Sequence, residues 1–507
     1  MMEPARVLKR PALPSSHSLA LATVMLIAVL VRAQILFGAP YAPGADYGHT
    51  LLFAEETRRL GEVPRVFPFH QLGATSFRSS PGLPLEMLAL GSATDLPPLR
   101  LPGFALVFSV VGVMGIYLLG KIIAGPGLGL AAALIYAVLP ANLEILGWAG
   151  YANIYALALT PFLWWAIAAA RQRFSHRRVW LAALLASAIA LVHLLTALFV
   201  GAATLLAAAL DLAVSKGRSR PLKVYGYLLA ATVLLSLPTL AQVIRAASLW
   251  RGGSLSSWSL EMLAPTRPSL EDYLHFFSAL GIALAAVGLA RLAARTLKPS
   301  LALGLAVSLL FVSAAVAYSW TLGIAFYYER ALYFAAIPLS LCVGYALWST
   351  RWPMGRLGLA AGVAGAMSLG AVQSAPRIAD YYSLLNADSL AAMEWVEERT
   401  SPGDAVVTDG CLAFLWEYIG KRPTAAAFNP IYLSSGEEEA IAADARRILQ
   451  GHPAASRLLK AYQVRYLVYD SGCPTLNSNV VLEHLRHQPG LKRAATFGRV
   501  YVYQAEE

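Results

Sequence analysis

The stretch Pro40-Tyr-Ala-Pro-Gly-Ala-Asp46-Tyr-Gly-His49, running into Leu51-Leu-Phe-Ala-Glu55-Glu56, follows an apolar run from about Leu19 to Phe37. A run of that length spans a bilayer, so a carboxylate and an imidazole arrive just outside the membrane boundary. Ionisable groups beside apolar surface are costly and are functional candidates by default. The plainer reading is that Asp46 caps a helix starting near His49. On this stretch alone both readings stand.

Composition supports a membrane setting. Of 507 residues, 57% are hydrophobic and 14% charged, and the mean hydropathy is +0.57. Soluble domains carry about 25% charged residues, so the chain reads as polytopic. The net charge of +11 does not point to nucleic acid, because Lys and Arg cluster in short segments between apolar runs. That is the positive-inside pattern. Three cysteines make no disulfide framework and no Cys/His group has zinc spacing. Cys411 and Cys473 share the C-terminal segment, where a bridge in an oxidising compartment and two free thiols are both open.

Eleven spans are expected: about 19–37, 101–120, 126–140, 152–170, two short ones from 180–214 split at His193, 224–243, 276–294, 300–319, 330–348 and one ending near Val372. The split at 180–214 is needed because its length exceeds one crossing at 1.5 Å per residue. With this count every short basic loop falls inside, the N-terminus is cytoplasmic, and loops 38–100 and 245–274 lie outside. Pro140 to Gly150 reads as a short outer loop. Residues 376–507 have soluble composition, with a capped helix over Ser389–Glu398 and strands at Ala405–Asp409, Arg465–Tyr469 and Arg499–Tyr503. The expected architecture is a polytopic α-helical membrane domain, 1–375, followed by an extracytoplasmic α/β domain, 376–507.

Several outer loops deliver polar groups to one level: Asp46, His49, Glu55 and Glu56; Glu144, Tyr151 and Asn153; His193; Glu261, Glu271 and Asp272; Glu329 and Arg330. A bundle without a site has little reason to collect them. The pattern resembles the GT-C-type membrane glycosyltransferases, most closely the oligosaccharyltransferase catalytic subunit and its relatives. Asp46 before Phe53-Ala-Glu-Glu-Thr-Arg-Arg-Leu-Gly resembles their first-loop aspartate motif. Trp148-Ala-Gly-Tyr151-Ala-Asn153-Ile-Tyr155 is similar to their second acidic motif, with Asn153 and Tyr155 where carboxylates would stand. Arg330-Ala-Leu-Tyr-Phe-Ala-Ala-Ile-Pro looks like their lipid-phosphate arginine, and Ala405–Gly410 through Tyr418–Thr424 resembles the start of their outer domain. The Trp-Trp-Asp-Tyr-Gly signature that reads an acceptor sequon is missing, which disfavours transfer to protein asparagine.

The resemblance implies transfer of a sugar from a polyprenyl-phosphate-type carrier to an extracytoplasmic glycan, lipid or protein at the cell membrane. Displacing the lipid phosphate builds negative charge on it, while the acceptor hydroxyl loses a proton. Asp46 is the candidate base, His49 its neighbour, and Arg330 the phosphate clamp, since a guanidinium fork matches phosphate oxygens. Glu144, Tyr151, Asn153, His193 and Glu271 are candidate lining residues. Asp46 is also the one candidate ligand for Mg²⁺ or Mn²⁺, but hard cations need several oxygen ligands and the second motif has lost two. Each residue has a plainer role: Arg330 pairing with Glu329, Glu144 a helix-end charge, Glu271 part of a capped first turn, and Trp148 and its like an interfacial belt. Rival readings for the whole chain are a transporter or lipid flippase and a non-catalytic scaffold of the same fold; transport folds more often carry internal repeats and midplane charges.

Overall fold

The computed structural model describes residues 16–62, 64, 69–73, 82, 100–215, 219–249, 263–295, 301–324, 326, 328–349, 353–428, 433, 436–473 and 478–506. Helix α1 (Ser16–Phe37) leads through the Pro43-Gly44 turn into α2 (Asp46–Leu60). Then come α3 (Arg100–Ala124), α4 (Pro126–Val138), α5 (Pro140–Gly147), α6 (Tyr151–Gln172), α7 (His176–Val192), α8 (Leu194–Val214) and α9 (Ser219–Leu249). The bundle continues with α10 (Leu270–Phe277), α11 (Ala279–Arg295), α12 (Leu301–Ala317), α13 (Arg330–Trp348) and α14 (Pro353–Tyr381). The expected spans overlap helices, the one over 276–294 being broken by an 82° bend at Ser278. Five of these, α1, α3, α6, α8 and α13, are long and apolar enough to cross a membrane alone; two bent pairs, α4 with α5 and α10 with α11, raise that to 7.

His193 divides α7 from α8 as the length argument requires, and its Nδ1 accepts the Thr196 N–H at the start of α8. The expected loop at Pro140 is instead helical. Proline at a first helical position has no N–H to lose, so it starts α5 after a 42° bend from α4. The missing N–H leaves the Tyr136 carbonyl without its helical donor. Asn142 Nδ2 takes it at 3.0 Å, and Arg32, fully buried in α1, donates to the Ala137 carbonyl at 2.6 Å. Arg32 thereby staples the bend.

The C-terminal part opens with α15 (Ala387–Glu397), which starts two residues before the expected Ser389; Asn386 caps it and Ser389 supplies the returning side chain of the capping box. A five-stranded sheet follows in the order β2 (Thr424–Ala427), β1 (Ala405–Asp409), β3 (Val464–Asp470), β5 (Val500–Ala505), β4 (Leu491–Phe497). β2, β1 and β3 are parallel, and β5 runs antiparallel to both of its neighbours, β3 and β4. Alternation puts Val406, Tyr466, Val468 and Val502 on one face, in a core continuous with the helical bundle. Val407, Leu467, Tyr469 and Tyr503 face α16 (Gly436–Leu449), α17 (Ala455–Ala461) and α18 (Ser478–His487). A Cys411–Cys473 disulfide ties the turns after β1 and β3.

Candidate active site

Gly44 brings the first loop to the site. Its φ is +79° and its N–H donates to the Tyr382 carbonyl at 2.7 Å. A Cβ there would lie 2.5 Å from the Trp148 carbonyl carbon, so only glycine fits. Asp46 is then the first residue of α2. Ala45 holds the cap position and no side-chain cap bond forms, so the capping role offered for Asp46 is not the one it has. Its carboxylate sits at the positive end of the helix and is only partly exposed. Burial pushes its pKa up to about 6, while the charge of Arg330 pulls the other way.

Arg330 is the first residue of α13, and its guanidinium lies 5.1 Å over the Trp148 ring. Trp148 ends α5 and is followed by Ala149 with φ +67°, a strained left-handed residue that turns the chain into α6. The sequence treats Trp148 as interfacial belt; the structure gives it the arginine. Tyr151 and Asn153 open α6 and are both buried. Asn153 Oδ1 accepts a hydrogen bond from Thr196 Oγ1 at 3.0 Å, and that oxygen lies 2.7 Å from His193 Nδ1. His193 Nδ1 also accepts the Thr196 N–H at 3.2 Å, which fixes the ring at the start of α8. His193 feels the Arg330 charge as well, so α2, α6, the α7–α8 break and α13 converge.

The other candidates fall to either side. Glu144 Oε1 accepts the Tyr382 hydroxyl at 2.7 Å and Oε2 lies 3.4 Å from His275 Nε2, which binds α5 to α10 and α14. Glu271 is exposed in the first turn of α10, where Ser269 and Asp272 form the capping box. Glu329 lies beside Arg330; burial first, then Asp272 and Glu144, push its pKa up against the pull of Arg330 and His275. Glu261 lies outside the described residues.

His49, partly exposed, turns toward the sheet domain. Its ring meets Phe414 edge-on at 5.2 Å. Burial, with His70 nearby, lowers its pKa to about 3, so it stays neutral. A Cβ on Gly48 would sit 2.5 Å from the Phe414 carbonyl oxygen, which is why α2 can lie directly on the turn after β1. Glu55 bonds Lys421 at 2.7 Å across the same junction, while Glu56 pairs with Arg59. Returning loop residues add to edge strand β2: His70 bridges Thr424, and the Gln71 side chain exchanges hydrogen bonds with Ala426. His70 Nδ1 lies 2.7 Å from Glu417 Oε1, both buried. Burial works against the charge on His70, but Glu417, its hydrogen bond and Glu438 outweigh it and raise the pKa.

The donor set around Asp46 does not fit a divalent cation. Among the described residues Asp46 belongs to no cluster of three metal-type ligands, the Arg330 charge acts on it, and Asn153 Oδ1 is engaged by Thr196. Among the described residues the one cluster of three metal-type ligands is Asp409, Cys411 and Cys473, whose sulfurs are bonded to each other.

No protein-family model matches the sequence, and no curated protein matches it. Solved structures do match by fold. The oligosaccharyltransferase AglB from Archaeoglobus fulgidus, in complex with an inhibitory peptide and a dolichol-phosphate, has a TM-score of 0.63 at 15% identity, covering 90% of this chain and 70% of that one. ArnT from Cupriavidus metallidurans, bound to undecaprenyl phosphate, has a TM-score of 0.58 at 11% identity, covering 96% and 97%. The arabinofuranosyltransferase AftD from Mycobacteria has a TM-score of 0.60 at 16% identity, covering 97% of this chain and 42% of that one. All three are GT-C glycosyltransferases. This chain therefore has the GT-C fold: a helical membrane bundle with a small C-terminal sheet.

Proposed function

We propose that the protein is a membrane glycosyltransferase that moves a sugar from a polyprenyl-phosphate-type carrier to an extracytoplasmic acceptor. The observation that carries this is the convergence of Asp46 and Arg330, each the first residue of its helix, at a partly open, desolvated position. The similar AglB and ArnT structures hold dolichol-phosphate and undecaprenyl phosphate, which supports a lipid-phosphate leaving group. In the reaction the acceptor oxygen attacks the anomeric carbon, the carbon–oxygen bond to phosphate breaks, and the electron pair leaves on phosphate. Asp46 takes the acceptor proton, and one displacement inverts the centre. Arg330 neutralises the charge growing on phosphate, with Trp148 holding the guanidinium plane. No step needs a metal.

In this reading 1–375 is the catalytic bundle and 376–507 an outer domain covering the acceptor side. The Cys411–Cys473 bridge fits an oxidising, extracytoplasmic location for it, and the basic loops support a cytoplasmic N-terminus. Asn153 and His193 shape the pocket floor through Thr196 rather than binding metal. The test is transfer from a polyprenyl-phosphate-linked sugar by purified protein in lipid. Asp46→Asn should lower kcat about 10²–10⁴-fold with KM little changed, and Arg330→Gln should raise the donor KM. Near-native transfer by Asp46→Asn would remove Asp46 from the chemistry, as the scaffold alternative requires.

A further inference from the structure

At the far end of the bundle, a cavity of about 170 Å³ opens between α7 and α9. Val179, Trp180, Ala231 and Leu234 line it, with His176 and Tyr227 toward the helix starts. The lining is almost wholly apolar, and Trp180, Tyr227 and Leu234 are exposed at its edges. His176 meets Tyr227 edge-on at 5.5 Å and Phe174 at 5.0 Å, so the end nearest the helix starts is a fixed aromatic rim. Such rims mark the membrane–water boundary.

Charge continues the groove beyond that rim. Along α9, Ala231, Tyr227, Lys223 and Arg220 recur at spacings of four, four and three, which is one helical face. Lys223 and Arg220 are exposed, as are Arg173 and Arg177 beside the start of α7. Between residues 145 and 260 the sequence holds one acidic residue, Asp211, and it is engaged by Arg171, Ser215 and Tyr225. The groove thus has an apolar slot for a chain and a cationic end to which residues 145–260 offer no carboxylate other than the engaged Asp211. The site is separate from the Asp46 centre: Asn153 and Arg171, at opposite ends of α6, are roughly 27 Å apart at the helical rise.

We propose that this groove binds one anionic glycerophospholipid of the surrounding bilayer, an acyl chain in the slot and the phosphate against Lys223 and Arg220. A zwitterionic lipid fills the slot equally but gains nothing from the cations. The small Ala231 makes the space, and Trp180 and Tyr227 wall it.

The experiment is native mass spectrometry of the full chain released from nanodiscs of phosphatidylcholine and phosphatidylglycerol in equal parts. The native protein should retain phosphatidylglycerol in preference. Arg220→Gln and Lys223→Gln should each lower the phosphatidylglycerol-to-phosphatidylcholine ratio about fivefold, leaving total retained lipid similar. Ala231→Phe should remove the retained lipid of both kinds; because Ala231 is buried, Leu234→Gln at an exposed position is the second variant. Equal retention of the two lipids by native protein would overturn the proposal. So would a ratio unmoved by both charge substitutions, or a retained species that is a polyprenyl phosphate.

Discussion

Replacing Arg330 with glutamine should move the acid limb of the pH–rate profile in a predictable direction. Burial raises the Asp46 carboxyl to about 6, and Arg330 opposes that rise. Asp46 must be ionised to act as a base, so kcat/KM should fall as pH drops through about 6. At pH 5, one unit below, only about a tenth of the molecules carry the carboxylate, so kcat/KM should be about a tenth of its plateau. An opposite charge nearby lowers a carboxyl pKa by roughly 1–3 units. Asp46 is partly exposed and partly screened, so the low end of that range applies. Without Arg330, the limb should shift upward by about one unit. The assay is donor-limited transfer over pH 4.5 to 8.5, comparing the position of the limb rather than its height, because Arg330→Gln also weakens phosphate binding. A native limb near pH 4, or one that Arg330→Gln leaves in place, would refute the account of Asp46.

Three further predictions concern the scaffold. Arg32→Leu leaves the Ala137 carbonyl unpaired in an apolar interior, which should cost roughly 1–3 kcal/mol and speed hydrogen exchange over 139–142; unchanged exchange would make the staple idle. Cys473→Ser opens a bridge spanning 62 residues and should destabilise the sheet domain by about 2–4 kcal/mol, seen as an earlier melt that reductant reproduces in the native protein. His70 and Glu417 both have raised pKa values, so the folded state binds more protons than the unfolded one and stability falls as pH rises. The window starts near the unfolded Glu value of about 4.5 and extends above the unfolded His value of about 6.5. A melting temperature that drops over that window, with a shallower slope in His70→Gln, is the expected result.

Much of the bundle was legible because apolar length and basic spacing are local properties. The His193 break followed from the length of 180–214 alone. Some of the failures were also local in origin. Sequence alone reads Pro140 to Gly150 as a short outer loop, yet a first-turn proline starts a helix. The Thr424–Ala427 strand is mostly alanine, and Leu491–Phe497 is largely exposed and basic; neither shows the β-branched alternation that marks a strand. In the site, Asp46 and Arg330 stood out as charges beside apolar runs. Trp148 did not, since a belt tryptophan and a cation-holding one have the same sequence surroundings. The His70–Glu417 pair joins residues 347 apart, and only folding brings them together. Tyr382 had no signal either: its role depends on Glu144 meeting it from another helix. The pairing of Cys411 with Cys473 was open in the sequence because spacing does not fix proximity.

The central claim is that Asp46 performs transfer from a lipid-linked sugar. Its most direct test is mass spectrometry of polyprenyl-linked sugars and envelope glycans in a deletion strain complemented with the native gene or with Asp46→Asn. The account predicts that a lipid-linked sugar accumulates and a glycan product vanishes, and that only the native gene restores both. Restoration of the same profile by both genes would contradict it.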